Sequence, residues 1–426
     1  MNLKSLSLVV LLGIVFTACH NSKISKSASA DNAAALKLPE PFATPSVTRN
    51  PKILGWPDDR TPVAPAGFTV SRLVNGLDNP RWIYVGPNGD IFIAMANTTS
   101  DGFAKVGISK KNGKSSNTIL LVRDADGDGV PELKKVFLTG LNRPLGMLIL
   151  NNKFYVGNTD GLWTYPYQTG QTEITDAGTK ILDLPAGGYN NHWTRNLIAN
   201  KDGSKIYVSV GSGSNVAEHG IDNEKRRANI LEINPDGTGE RVYASGLRNP
   251  VGMDWATGTN TLWTAVNERD NLGDDLVPDY ATSVKDGGFY GWPYAYFGNH
   301  PDPRLKGERM DLVNSTLVPD VPLGSHTASL GLVFNTKNYL TPAYAGGMFI
   351  GQHGSWNRSV LAGYKVLYVP FANGKPSGPP QDFLTGFLDS NNNDAYGRPV
   401  GVAFSQDGAL LVADDAGKTI WRIAKK

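Results

Sequence analysis

The chain is patterned as short apolar runs separated by turns of Gly, Asn and Asp, and six stretches restate one version of that pattern. They read GLDNPRWIYVGPNGDIFIA (76–94), GLNRPLGMLILNNKFYVGN (140–158), NNHWTRNLIANKDGSKIYVSVGS (190–212), GLRNPVGMDWATGTNTLWTAVNE (246–268), SHTASLGLVFN (325–335, then YAGGMFIG) and GRPVGVAFSQDGALLVADD (397–415). Each is a charged or polar cluster, an apolar strand, a turn and a second apolar strand. No stretch carries a sustained helical period, so helices are predicted to be few and short. A supersecondary unit repeated in this way marks a β-propeller. The pattern predicts an all-β chain folded as a six-bladed β-propeller, with its active site at one mouth of the central channel. Phe68–Val74 (FTVSRLV) precedes the first repeat and is predicted to be the outer strand of the last blade, clasped to the C-terminal chain.

In a propeller the innermost strands line the channel and begin at one mouth. The repeat starts therefore bring Arg81, Arg143, His192 with Arg195, Arg248 with Asn249, His326 and Arg398 to a common rim. A cationic ring there points to an anionic small molecule. The whole chain, of 426 residues, carries a formal charge of only +2, which gives no broad basic field and argues against nucleic acid as a partner. Gly (48) and Pro (27) are abundant, as many tight turns require.

Residues 1–19 read as a lipoprotein-type signal peptide. Lys4 is the positive start, Leu6 to Phe16 is an apolar stretch too short to span a bilayer, and Phe16-Thr17-Ala18-Cys19 resembles a lipobox. Cys19 is the sole cysteine, so the fold has no disulfide. The expectation is export and lipid anchoring through Cys19 to a bacterial membrane, on the periplasmic or outer face. An ordinary signal peptide with an incidental Cys is the alternative. Residues 20–52, polar and aperiodic, are expected to form a flexible tether, and 53–426 a single propeller domain.

Several motifs carry candidate chemistry. His192, at a blade start, is a candidate general base; a strand-capping role is the alternative. Arg248 offers a planar fork for carboxylates, with Asn249 beside it. The loop Asn267-Glu268-Arg269-Asp270-Asn271-Leu272-Gly273-Asp274-Asp275 is rich in the oxygen ligands that Ca²⁺ takes, or is simply solvated. Asp124, Asp126 and Asp128 have the DxDxDG spacing of calcium loops; Lys135 stands where an EF-hand needs its Glu, so a structural calcium turn is expected instead. Ser355-Trp356-Asn357-Arg358 follows an inner strand pair, with His353 in the same turn, and Asp414-Asp415 ends the sixth repeat. Trp193, Trp292 and Trp356 are either blade packing or a wall for a flat ligand.

Taken in order, GLRNPVGM, NERDNLGDD with YGWP, and GRPVGVAFSQDGALLVADD resemble the pyrroloquinoline-quinone (PQQ) dependent soluble sugar dehydrogenases, most closely the sorbosone/pyranose branch related to soluble quinoprotein glucose dehydrogenase. The resemblance spans roughly 65–426. It implies PQQ beside a Ca²⁺ at the channel mouth and oxidation of a sugar, an aldose or sorbosone, with electrons passed to an external quinone or cytochrome. It implies His192 as the base and Arg248 and Asn249 as cofactor contacts. Arg143, Arg195, Arg269, His326, Asn357, Arg358, Arg398 and Asp414 complete the expected cofactor set, and Asp270, Asn271, Asp274 and Asp275 the expected calcium loop. The chain departs from the glucose enzyme at Asn191, where that enzyme has an acid. The Asp that orients its histidine aligns near Ser212. A cofactor-binding Lys aligns near Asn357, with Arg358 adjacent, Tyr396 replaces one of two arginines, and Arg143 stands near an absent Gln. Two other classes remain open: a propeller hydrolase of sugar-lactonase or phytase type, and a non-catalytic ligand-binding propeller.

Overall fold

A computed structural model describes residues 36–97 and 115–426. The signal segment 1–19, with Cys19, and the tether up to residue 35 lie outside the described residues. The chain is a six-bladed β-propeller. From the channel outward, blade 1 is Pro80–Val85, Ile91–Met95, Thr118–Arg123 and Leu133–Leu138; blade 2 is Met147–Leu150, Lys153–Asn158, Gly161–Pro166 and Thr179–Asp183. Blade 3 is Arg195–Ala199, Ile206–Val210, Asn229–Ile233 and Arg241–Ser245, with Gly288–Phe289 added in parallel. Blade 4 is Pro250–Trp255, Leu262–Val266, Pro278–Ser283 and Val321–Ser325; blade 5 is Ser329–Phe334, Met348–Gln352, Lys365–Val369 and Gln381–Leu384. Blade 6 is Pro399–Phe404, Leu410–Asp414, Thr419–Lys425 and, outermost, Phe68–Val74. The predicted clasp is present: Phe68 pairs with Lys425 and Val74 with Ile420, antiparallel.

The apolar runs become second strands buried on both faces, since each blade is covered by its neighbours: Ile91–Met95 and Leu410–Asp414 are buried throughout. Outer strands meet solvent, and Leu133–Leu138 is correspondingly exposed over its middle. Phe92, Phe137 and Phe154 pack edge to face between blades 1 and 2, with ring centroids 4.8–5.0 Å apart. The Gly of RPLG and its equivalent in ASLG have a packing cause. A Cβ on Gly146 would lie 2.6 Å from Leu197 N, and one on Gly331 would lie 2.2 Å from Val400 O. Inner strands of adjacent blades therefore touch backbone to backbone.

Just inside the mouth, Trp82, Leu145, Trp193, Val251, Leu330 and Val400, one from each blade, form a buried apolar floor. The tether expectation fails for its described part. Phe42 N donates to Leu272 O, Arg49 N to Trp356 O and Leu54 N to Ala395 O, so this segment is laid across the rim loops of blades 4, 5 and 6. The ordered body thus begins before Ile53. Low apolar content misled because the strap is held by backbone hydrogen bonds rather than by a hydrophobic stripe.

Trp421 sits where clasp and strap meet. It is fully buried, lies 5.0 Å from the Trp56 ring and donates to Asp414 at 3.1 Å. Trp421→Ala is expected to destabilise the fold by about 3–5 kcal/mol, read as a lowered urea midpoint at unchanged slope. A loss below about 1 kcal/mol would remove the clasp from the stabilising core.

Candidate active site

The mouth above the apolar floor holds a cavity of about 210 Å³. It brings together Arg81, His192, Arg248, Asn249, Asp270, His326 and Arg398 among the sequence-predicted residues, with Trp193, His353 and Trp356 of the motifs noted beside them, and adds Asn191 and Asn267.

His192 stands at the edge of blade 3, where the chain before Arg195–Ala199 pairs with the chain after Ile206–Val210: Asn191 N donates to Gly213 O and His192 N to Ser212 O. Gly211 makes the approach possible, since a Cβ there would lie 2.6 Å from His192 Cβ and 2.4 Å from Asn249 Oδ1. His192 Nδ1 is 3.0 Å from Ser212 O and 2.9 Å from Ser212 Oγ. The Ser212 hydroxyl already donates to Ser214 O at 2.7 Å, so both Ser212 oxygens act as acceptors toward the ring. Nδ1 therefore carries the proton, and the Nε2 lone pair is left for the cavity. Burial, then the Arg248 charge, holds the imidazole well below its ordinary pKa, despite the Ser212 contact.

His326 is the opposite case. Its Nε2 faces Gly273 O at 2.8 Å and its Nδ1 faces Asp270 Oδ1 at 3.3 Å. Burial pulls its pKa down, but Asp270, together with the Gly273 carbonyl and Asp279, offsets this and the net shift is upward. Asp270 is itself held between His326 and Arg248. Arg248 is fully engaged: Nε donates to Asn215 O, Nη1 to the carbonyls of Asn267 and Glu268, and Nη2 to Asn215 Oδ1 and Asp270 Oδ2. It supplies charge to the cavity rather than a free fork.

Free donors stand across the mouth. Arg398 spends Nε and Nη2 on the carbonyls of His353 and Gly354, leaving Nη1 without a partner among the described residues. Arg81 gives Nη1 to Asp415 at 2.5 Å, while its buried Nε has no partner; its guanidinium lies 5.6 Å from the centre of the Trp193 ring. His353 Nε2 donates to Asp415 at 2.9 Å. Burial, then Arg398, lowers His353 to about 4. Burial raises Asp415, but His353 and Arg81 outweigh it and hold the carboxyl well below its usual range.

Other predicted residues are elsewhere. Arg195 is buried in the wall, donating to the carbonyls of Thr159, Thr194 and Pro185; burial lowers it to about 9. Arg269 lies under its loop, paired with Glu268 and Asp302. Arg143 does not line the cavity. Asn357 accepts from Asn271 N and donates to Val47 O, and Arg358 pairs with Asp275. Asp414 is buried between strands, accepting from Arg398 N, Trp56 and Trp421, with burial raising it to about 6. Asp415, one residue on and in the turn that follows the strand, faces the rim instead, paired with Arg81 and His353. His353 and Asp415 show what the repeat starts alone do not reveal: the rim also takes residues just past the second strands, as in QHGSWN and ADD.

The expected calcium loop does not assemble. Asp274 accepts from Ser359, Asp275 from Arg358, Gly273 O from His326 and Asp274 O from Arg358. Of its carboxylates only Asp270 lines the cavity, and both its oxygens are paired with cations. The loop is a bracket for the rim cations, and its side chains do not fit a calcium ion. At the far side of blade 1, Asp124, Asp126, Asp128 and also Glu132 place one oxygen each within 4.8 Å of one another. Glu132, not Lys135, completes that cluster, because the turn is shorter than an EF-hand loop.

A titration of the histidine ring carbons is expected to place His326 above the ordinary value of about 6.5, with His192 and His353 below it, the latter near 4. The depressed pair destabilises the native state as pH falls below about 6.5, because the unfolded chain then binds more protons. A His192 midpoint at or above that value would contradict its neutral, Nδ1-protonated state.

Comparison with known proteins follows the same lines. A family model described as TrAA12-like matches residues 62–284 and 311–426. An uncharacterized protein of Borreliella burgdorferi is 28% identical over 84% of this chain and 89% of its own. A pyrroloquinoline quinone-dependent pyranose dehydrogenase of Coprinopsis cinerea is 24% identical over 84% of this chain, and the match spans about half of that enzyme, 54%. The holo PQQ domain of the Coprinopsis cinerea pyranose dehydrogenase superposes with a TM-score of 0.68 at 21% identity, covering 88% of this chain and 100% of that one.

Proposed function

The chain belongs to the TrAA12-like family, and from that premise we propose that it is a PQQ-dependent sugar dehydrogenase. The observation that carries the reading is a neutral imidazole with its Nε2 lone pair open to the cavity, facing cations with spare donors. PQQ bears three carboxylates on a flat ring system. Arg81 Nε, buried without a partner, and the spare Nη1 of Arg398 fit such an anion, and Arg248 and His326 add positive charge. Trp193 and Trp356 supply apolar surface in the same wall. Asn191 Oδ1, buried and unpartnered, is an acceptor for a sugar hydroxyl.

When bound, PQQ supplies the two-electron oxidising power, accepting a hydride from the sugar carbon. The protein's part is placement and proton transfer. His192 Nε2 takes the proton of the hydroxyl on that carbon, and Ser212 holds the resulting imidazolium through Nδ1. The Arg248 and Arg398 guanidiniums and His326 stabilise negative charge that develops at the mouth. The substrate is an aldose or sorbosone, oxidised at its anomeric or aldehyde-hydrate carbon. The sole Cys leaves no CxxCH haem site, so the electrons pass to an external quinone or cytochrome. Lipidation at Cys19 would hold this protein at the membrane where such acceptors reside. A metal-dependent hydrolase is disfavoured, because among the described residues Asp270 is the one carboxylate lining the cavity and it is already paired.

The protein lacking residues 1–19 is expected to reduce dye with aldoses or sorbosone only when PQQ is added. His192→Ala should lower kcat by about 10²–10⁴-fold while PQQ still binds. Arg398→Ala should weaken PQQ about tenfold or more. If PQQ neither binds nor supports turnover, the cationic mouth serves another anion and the hydrolase or binding readings take precedence.

The Asp124, Asp126, Asp128 and Glu132 cluster is proposed as a structural Ca²⁺ site, with no role in the chemistry. Calcium should raise the melting temperature of the wild type but not of Asp126→Asn, and dye reduction by the wild type should persist after chelation. Equal melting curves with and without calcium would remove the site.

A further inference from the structure

The base has no carboxylate bonded to it, yet a buried carboxylate stands three hydrogen bonds away. Glu224 is 6% exposed and ends the short turn Ile221–Glu224. It does not line the cavity. One of its oxygens accepts from Gly213 N at 2.7 Å and the other from Ser214 Oγ at 2.5 Å. Ser214 Oγ in turn accepts from Ala217 N at 3.0 Å. Burying a carboxylate is costly unless hydrogen bonds compensate, and both of these bonds fall on the turn that follows Ser212.

That turn sets one of the two acceptors that keep the proton of His192 on Nδ1, the Ser212 carbonyl being the other. Ser212 Oγ accepts from Nδ1 only because its own proton is given to Ser214 O. If Ser214 O moved away, the hydroxyl would be free to donate to Nδ1. The Ser212 carbonyl alone would then favour the Nδ1 proton, and the tautomer protonated on Nε2, where the reaction needs a lone pair, would become populated. We propose that Glu224 is a positioning residue for His192: by holding Gly213 N and Ser214 Oγ it keeps Ser214 O on the Ser212 hydroxyl, and so keeps the base in its Nδ1-protonated form. The inference rests on His192 being the base of the proposed reaction. It gives this chain a relay of neutral groups ended by a remote carboxylate, in place of an acid bonded directly to the imidazole.

The test combines long-range ¹H–¹⁵N correlation of the imidazole in the cofactor-free protein with kinetics of the PQQ-loaded protein. In the wild type, Nδ1 should show the shift of a protonated ring nitrogen and Nε2 that of an unprotonated one. In Glu224→Ala and Ser214→Ala the two shifts should converge as tautomers mix. In the same variants kcat should fall about ten- to a hundredfold, with the sugar KM and the PQQ Kd moving less than about threefold. Glu224→Gln, which keeps the side-chain shape and one acceptor oxygen, should recover part of the loss. Should Glu224→Ala fail to fold, Ser214→Ala carries the test, because it severs the link without emptying the carboxylate site. Unchanged ring shifts and unchanged kcat in a folded variant would overturn the proposal. If the wild type oxidises no sugar, the functional reading fails on the kinetic arm, while the nitrogen shifts still decide whether Glu224 sets the tautomer.

Discussion

Six inner strands converge on one axis, and the crowding of their first residues is the constraint on which the site depends. Glycine at Gly146 and Gly331 lets neighbouring backbones touch, so the side chains just before them are driven into one small mouth. Three arginines and three histidines line that mouth. So many cationic and imidazole groups in a cavity of about 210 Å³ would repel if all were charged. The structure resolves this by sorting them. Asp270 takes Arg248 and His326, Asp415 takes Arg81 and His353, and His192 is left neutral against the oxygens of Ser212. Burial, and after it the repulsion that remains from Arg248, keeps the proton affinity of His192 low.

The supports of the rim lie outside the strands. The strap that includes Phe42, Arg49 and Leu54 binds the loops of blades 4, 5 and 6 through backbone hydrogen bonds. It touches the bracket that holds His326: Thr44 Oγ1 accepts from Asp274 N, next to Gly273, whose carbonyl receives the His326 ring. Arg195 and Arg269, buried in walls behind the mouth, fasten carbonyls that no ladder satisfies. Such arginines do structural work that resembles ligand binding when only their spacing is known.

The propeller was legible because a strand-turn-strand unit repeats six times, and repetition survives the ambiguity of any one apolar run. His192, Arg248, Asn249, His326 and Arg398 were legible because each opens an inner strand, and topology alone sends such positions to the mouth. What lay beyond reach depended on direction rather than order. Asp414 and Asp415 are neighbours in sequence, yet one is buried between strands and the other faces the rim. The oxygens of Asp274 and Asp275 looked free in sequence, but Arg358 and Ser359 come from another blade to occupy them. Ser212 was noted only as a missing acid; its function emerges from the two acceptors it turns toward one ring nitrogen.

The central claim is that this mouth couples proton removal by His192 to oxidation of a sugar carbon by bound PQQ. Rapid mixing of PQQ-loaded protein with an aldose, without dye or oxygen, tests it most directly through the absorbance of the cofactor. The account predicts reduction of the bound PQQ in one phase, slowed when the anomeric carbon carries deuterium. Cofactor that binds at the mouth but stays oxidised with every aldose and with sorbosone would contradict it.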